Sequence, residues 1–216
     1  MTRPYKAIIF DLDGVLWDGE PLYHEAFNVV LKPRGHVVTP EEYTQIIGNS
    51  VEAAWEWVLN RFNITEPPED FYRRYDEAVL YLMREPIQPL PGVRDLITEL
   101  KRRGIPAGLA SASLRNWVDA TLVGLGLEGQ FLTTVSASEV ENAKPAPDLY
   151  LRAAENLGVD PVICVAVEDT HTGIRSAKAA GMYAIQVRAS STALDPIDEA
   201  DSVIEDYSEF DLALFG

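Results

Sequence analysis

Residues Ala7-Ile8-Ile9-Phe10-Asp11-Leu12-Asp13-Gly14-Val15 decide how the rest of the chain is read. Four apolar residues run without interruption and stop at two carboxylates separated by one leucine. A short unbroken apolar run reads as a strand buried on both faces, the pattern of a parallel sheet. In open α/β sheets, ligands gather outside the carboxyl ends of the strands. Asp11 and Asp13 therefore stand where a ligand would sit, and Gly14 lets the backbone turn beside them. Two carboxylates this close repel unless a cation or a proton comes between them. A hard cation that favours oxygen ligands, such as magnesium, answers that need. An isolated Asp-x-Asp would read only as a strand and an acidic turn. Three segments downstream change that.

The first runs from Ile105 to Ala110 and ends at Ser111-Ala112-Ser113. A strand-end hydroxyl before a helix start offers a side chain and free backbone N–H groups, and helix N-termini bind phosphate in this way. The commoner use of such a serine is an ordinary helix cap. The second is Ala143-Lys144-Pro145-Ala146-Pro147-Asp148. A lone lysine is usually a solvated surface charge, but proline fixes its own φ and restricts its predecessor, so the stiff segment favours an aimed Lys144. The third is Val162-Ile163-Cys164-Val165-Ala166-Val167, closed by Glu168-Asp169-Thr170. Another apolar strand ends in paired acids, so one sheet edge is expected to gather Asp11, Asp13, Glu168 and Asp169.

The four motifs in this order, DLDGV, GLASAS, AKPAPDLY and VEDT–GI–AAGM, resemble the haloacid dehalogenase superfamily over essentially the whole chain. The resemblance is to its branch of small phosphatases and β-phosphoglucomutase, which carry a helical cap inserted after the first strand. It implies Asp11 as nucleophile, forming an aspartyl-phosphate, and Asp13 as the acid and base. It implies Mg2+ held by Asp11, the Asp13 backbone carbonyl and Asp169, with Glu168 direct or through water. Lys144 and Ser111 would hold the phosphoryl oxygens. Candidate substrate-binding residues are Gly48 and Ser50 in the cap, with Ala112, Ser113, Arg115 and Asn116 after the second strand.

Composition agrees with that frame. The chain has 216 residues, 47% hydrophobic and 24% charged. That is enough for one core domain and a small insertion. No run of 18 apolar residues suggests a membrane span, and the N-terminus lacks a signal-like apolar segment. The single cysteine, Cys164, reads as a small core residue of a cytoplasmic, disulfide-free protein. The net charge is −16, from 34 acidic against 18 basic residues. Nucleic acid and anionic membranes are poor partners for such a surface. A phosphorylated metabolite is not excluded, because surface acids are screened beyond about 10 Å. A monomer is expected.

Strand and helix alternate from Pro91 onward. Helices are predicted over 93–103, 114–123, 148–157 and 172–180, and strands over 105–110, 131–135, 162–167 and 183–187. That is a doubly wound, Rossmann-like parallel sheet. Residues 16–88 differ, being helical with no strand between. Thr39-Pro40-Glu41-Glu42 is a capping box, Ser50 starts a helix and Pro67-Pro68 another. The predicted division is core 1–15, helical cap 16–88 and core 89–216. The linkers 15–19 and 85–92 contain glycine and proline.

Three details bear on substrate. In β-phosphoglucomutase a cap histidine follows the nucleophile by twelve residues; here Tyr23 stands at that place, with His24 next. The mutase's basic cap loop is matched by Ile47-Gly48-Asn49-Ser50-Val51, with Ile47 and Val51 where its cations stand. Hydrolysis is therefore favoured over mutase chemistry. Val51, Ala54, Trp55, Val58, Leu59 and Phe62 form one helical stripe, so Trp55 belongs to the cap core. Trp57 lies off that stripe and faces either the cleft or solvent. His171 is expected to be solvated or satisfied rather than a ligand. The expected function is a magnesium-dependent phosphatase of a small phosphorylated metabolite, such as a sugar phosphate. The alternatives are a phosphosugar mutase and a non-catalytic phospholigand-binding protein; Asp11, Asp13, Lys144 and Asp169 together argue against the latter.

Overall fold

The computed structural model describes residues 4–47, 51–191 and 193–216. Gly48, Asn49 and Ser50 of the cap loop lie outside the described residues. The chain forms two compact units, Met1–Asp18 with Ile87–Gly216, and Gly19–Pro86.

The first unit is built on six parallel strands: β1 Ala7–Phe10, β2 Ala107–Ser111, β3 Thr133–Ser136, β4 Cys164–Glu168, β5 Tyr183–Val187 and β6 Ser202–Ile204. Their spatial order is β3-β2-β1-β4-β5-β6, with every pairing parallel. The unbroken apolar character of β1 is explained by its place near the middle, where all four residues are fully buried. The chain steps from β1 to β2 on one side and to β4 on the other, which makes β1 the point where the winding reverses. Crevices for ligands open at such points. Phe10 pairs with Leu109 and with Val167. The residues following all three strands thus emerge along one edge.

Among the described residues, four α-helices accompany the strands of this unit. In chain order with those of the other unit, they are α5 Val93–Arg102, α6 Arg115–Gly124, α7 Asp148–Leu157 and α8 His171–Ala179. Each packs an apolar stripe inward, as Val93, Leu96, Ile97 and Leu100 of α5 do. Leu149, Tyr150, Ala153 and Ala154 of α7 join β1, β4 and α8 in a fully buried cluster.

The predicted strands 105–110, 131–135 and 162–167 sit about two residues early. Ile105 donates its N–H to the Leu100 carbonyl and so closes α5 rather than opening β2. Pro161–Ile163 form a 3-10 turn capped by Asp160, and Val162 is 60% exposed. Leu132 is 76% exposed. Apolar residues at turn ends read as strand when only periodicity is available. The sixth strand, β6, was not anticipated; three residues with one polar end carry too little pattern.

The second unit contains α1 Glu20–Leu31, α2 Pro40–Tyr43, α3 Val51–Arg61 and α4 Pro68–Leu82, and no strand among its described residues. Thr39 caps α2: its side chain accepts the Glu42 N–H at 3.2 Å, while Glu42 accepts the Thr39 N–H at 3.1 Å. α1 and α4 are joined through Phe27 and Tyr75, whose ring centroids lie 4.2 Å apart. Trp55 is buried and stacks on Tyr72, and Trp57 is half-buried. His24 contacts the Val38 carbonyl at 2.7 Å and stacks on Tyr43. Glu66 pairs with both Arg34 and Arg74. The unit begins at Gly19 rather than 16 and ends at Pro86 rather than 88. Leu16 and Trp17 are buried in the first unit, where the Leu90 N–H donates to the Leu16 carbonyl at 2.8 Å.

Candidate active site

The edge where β1, β2 and β4 end gathers the candidate residues. Asp11 follows β1, and its N–H donates to the Val167 carbonyl at 2.9 Å, which seats it beside β4. Glu168 closes β4 and Asp169 follows. Lys144 reaches in from the segment before α7, where its peptide bond to Pro145 is cis. Its ammonium lies 2.5 Å from Asp11 Oδ1 and 2.6 Å from Glu168 Oε1. Beneath it the Tyr150 hydroxyl donates to Glu168 Oε1 at 2.7 Å. Carboxylate oxygens of Asp11, Glu168 and Asp169 all lie within 4.8 Å of one another.

Three carboxylates face a single ammonium, and the electrostatics reflect the shortage of positive charge. Burial pushes the Asp11 carboxyl up to about 7, against the pull of Lys144 and with Glu168 adding to the rise. Burial likewise holds Asp169 well above the usual carboxylate range, helped by Glu168 and Asp11. Burial disfavours the charge on Lys144, but Asp11 and Glu168 outweigh it and keep the ammonium above its ordinary value. Asp169 Oδ1 is buried without a hydrogen-bond partner. An orphaned carboxylate oxygen beside two further acids is what a hard cation would satisfy. Asp11, Glu168 and Asp169 could therefore hold a metal ion. Gly14, at φ +75°, brings the backbone close to this group: a Cβ there would lie 2.0 Å from Asp169 Oδ2.

The side chain of Asp13 is not one of those three. Its Oδ1 accepts the Trp17 indole N–H at 3.1 Å, and its Oδ2 accepts the Ser113 hydroxyl at 2.7 Å. Ser113 in turn donates its N–H to the buried Ser111 Oγ at 3.0 Å. Ser113, read from sequence as a substrate contact, is thus tied to Asp13. Ala112 between them is exposed. Arg115 is held by Glu139, by Asp119 at 3.0 Å, and by the Thr134 hydroxyl and carbonyl at 3.0 and 2.9 Å. Its donors fasten α6 to β3 and its neighbouring turn, so it is not carried forward as a phosphate ligand. Asn116 is exposed on α6, and His171 is exposed at the start of α8.

Sequence reasoning missed Trp17, Tyr150 and Gly173. Trp17 falls in the predicted linker 15–19 and Tyr150 in the predicted helix 148–157, with no role read for either. Gly173 did leave a signal, since glycine in a helix costs roughly 1 kcal/mol against alanine and calls for a packing reason.

The family model for haloacid dehalogenase-like hydrolases matches residues 5–181. The chain belongs to that family. Within it, the fructose-1-phosphate phosphatase YqaB of Escherichia coli is 34% identical, over 87% of this chain and 99% of the relative. A phosphorylated carbohydrates phosphatase of Thermotoga maritima is 33% identical over 83% of each chain. The crystal structure of CbbY from Rhodobacter sphaeroides in complex with phosphate superposes with a TM-score of 0.84 at 28% identity, covering 98% of this chain and 99% of that one. The protein is accordingly a phosphoric monoester hydrolase of the haloacid dehalogenase type. No helix among the described residues is long and apolar enough to cross a membrane.

Proposed function

We propose that the enzyme is a Mg2+-dependent phosphatase of a small phosphorylated metabolite, a sugar phosphate in particular, working through an aspartyl-phosphate on Asp11. The observation that carries the reading is the Asp11 carboxylate in hydrogen-bond contact with Lys144, beside the orphaned Asp169 oxygen. An Asp11 oxygen attacks phosphorus, and the bond from phosphorus to the leaving oxygen breaks. Asp13 gives a proton to that oxygen, releasing an alcohol. Asp13, now a carboxylate, takes a proton from the water that cleaves the aspartyl-phosphate, releasing phosphate and restoring Asp11. Lys144 and Ser111 hold phosphoryl oxygens, since this chemistry depends on positioning and charge neutralisation. Mg2+, held by Asp11, the Asp13 backbone carbonyl and Asp169, with Glu168 direct or through water, would supply positive charge to the transferring group. The accompanying expectation is a cytoplasmic monomer acting on a free metabolite; the strongly acidic chain favours no nucleic-acid partner.

The choice of sugar phosphates draws on the carbohydrate phosphatases among the relatives. Tyr23, Ile47 and Val51 replace the basic grip needed to retain and turn a bisphosphate, which favours hydrolysis. A panel of phosphorylated metabolites assayed for phosphate release in Mg2+ tests this. Sugar phosphates should lead the panel. β-Glucose 1-phosphate with a bisphosphate activator should give no efficient conversion to glucose 6-phosphate. Isomerisation faster than phosphate release from every monophosphate would overturn the reading.

The metal is tested by thermal unfolding as well as by activity. In chelator, Asp11 and Asp169 titrate above their unfolded range, so between roughly pH 4 and 7 the folded state binds more protons than the unfolded one. Stability should therefore fall as pH rises through that window. Mg2+ needs the carboxylates ionised, so it should raise Tm more at pH 8 than at pH 5. Chelator should abolish phosphate release, Mg2+ should restore it, and Ca2+, with its longer and more numerous bonds, should not. Full activity in excess chelator, with a Tm indifferent to Mg2+, would remove the metal from the scheme.

A further inference from the structure

We infer that Trp17 is a positioning residue for the acid/base carboxylate, its indole N–H fixing which oxygen of Asp13 handles the proton. The inference rests on the reading of Asp13 as acid and base and adds to it the group that aims the carboxylate. The two Asp13 oxygens face different donors: Trp17 Nε1 lies 3.1 Å from Oδ1, and Ser113 Oγ lies 2.7 Å from Oδ2. The two donors differ in kind. An indole N–H can only donate, whereas a serine hydroxyl can donate or accept. Trp17 thereby favours Oδ1 as the acceptor and Oδ2 as the oxygen that carries the proton Asp13 gives or takes, since the Ser113 hydroxyl beside Oδ2 can turn from donor to acceptor. Ser113 is itself fixed through its N–H to Ser111 Oγ, so the proton-carrying oxygen is tied to the hydroxyl assigned to the phosphoryl group.

Trp17 is held firmly enough for this work. It is 2% exposed, and its backbone bridges to both Asp13 and Pro89. The Gly14 N–H donates to its carbonyl at 2.8 Å, and next to it Leu90 donates to Leu16 at 2.8 Å. The backbone of Trp17 is thus tied to the loop that carries Asp13. Nothing in the sequence announces this, because Trp17 falls in the predicted linker 15–19, where no partner for its indole can be read.

The experiment compares two leaving groups. An alkyl phosphate, the fastest in the metabolite panel, needs its leaving oxygen protonated; p-nitrophenyl phosphate releases a stabilised anion and does not. kcat/KM reports phosphoryl transfer to Asp11, the step in which the leaving group departs. Trp17→Phe should lower kcat/KM about tenfold for the alkyl phosphate and less than about twofold for the aryl phosphate. Ser113→Ala should behave alike, and Ser113→Thr, which keeps the hydroxyl, should recover most of the loss. Asp13→Asn should show the same selectivity at about 10²-fold or more. Because both substrates see the same enzyme sample, any loss of folded protein cancels in the ratio. Equal losses on both substrates for Trp17→Phe, with Asp13→Asn still selective, would overturn the role of Trp17 alone. Equal losses for Asp13→Asn would overturn the acid/base reading beneath it.

Discussion

Asp11→Asn is expected to lower phosphate release by at least about 10³-fold while leaving the fold in place. An amide is nearly isosteric with a carboxylate but a far weaker nucleophile, and removing a covalent nucleophile commonly costs several powers of ten. The fold should tolerate the change for electrostatic reasons. Asp11 is 7% exposed and sits against Glu168, with burial working against its charge. The neutral amide removes one of three crowded anions and leaves Lys144 paired with Glu168 at 2.6 Å. The backbone contact that seats residue 11, its N–H on the Val167 carbonyl, does not depend on the side chain. In chelator the variant should also lose part of the fall in Tm between pH 4 and 7, because one titrating carboxyl is gone. Phosphate release and circular dichroism, measured on the same preparation, check both halves. Activity within about tenfold of the original enzyme, a barrier change near 1.4 kcal/mol, would overturn the covalent role.

What could be read from the sequence, and what could not, follows from how far each contact reaches along the chain. β1 was legible because an apolar run of four residues ending in acids has few other uses. The gathering of Asp11, Asp13, Glu168 and Asp169 at one edge was read from the parallel sheet, which sends every strand end the same way; Lys144 entered on its stiff proline-flanked segment and on the family resemblance. Their pairing was not legible. That Lys144 is shared between Asp11 and Glu168, with Tyr150 bonded to the same Glu168 oxygen, depends on α7 packing against β1 and β4. Arg115 was read as a phosphate contact from the family resemblance, and only the fold brings Thr134 and Glu139 to its guanidinium. Ser113 was read as a substrate contact in the strand-end segment; its hydroxyl faces Asp13, which is 100 residues away in sequence. Helix and strand ends were misread where exposed apolar residues, Leu132 and Val162, continued a hydrophobic pattern past the element itself.

Gly173→Ala should damage stability and turnover together, and the reason lies in Glu168 rather than in helix propensity. By propensity alone the change would stabilise α8 by up to about 1 kcal/mol. Space forbids it: a Cβ on residue 173 would lie 2.0 Å from Glu168 Cδ and Oε2 and 2.2 Å from Oε1. Glu168 has nowhere to retreat, being fully buried and held by Lys144, by Tyr150 at 2.7 Å and by the Asp169 N–H at 3.2 Å. Accommodating the methyl group means breaking at least one of these contacts in a buried ionic cluster. Overpacking costs about 1–3 kcal/mol, and disrupting a buried ion pair about 3–5 kcal/mol. A net loss of about 3 kcal/mol, or about 6–12 °C in Tm, is expected. Displacing Glu168 also displaces Lys144 from Asp11, so kcat/KM should fall by about 10²-fold or more. Gly104→Ala is the control. It has nothing within 4 Å of its Cβ and carries only the strain of φ +69°, about 1 kcal/mol, so its kcat/KM should stay within about twofold. Differential scanning fluorimetry and steady-state kinetics on the two variants decide the matter. A Gly173→Ala enzyme as stable and active as the original would mean that Glu168 does not sit against the first turn of α8, and the arrangement of acids around Lys144 would have to be redrawn.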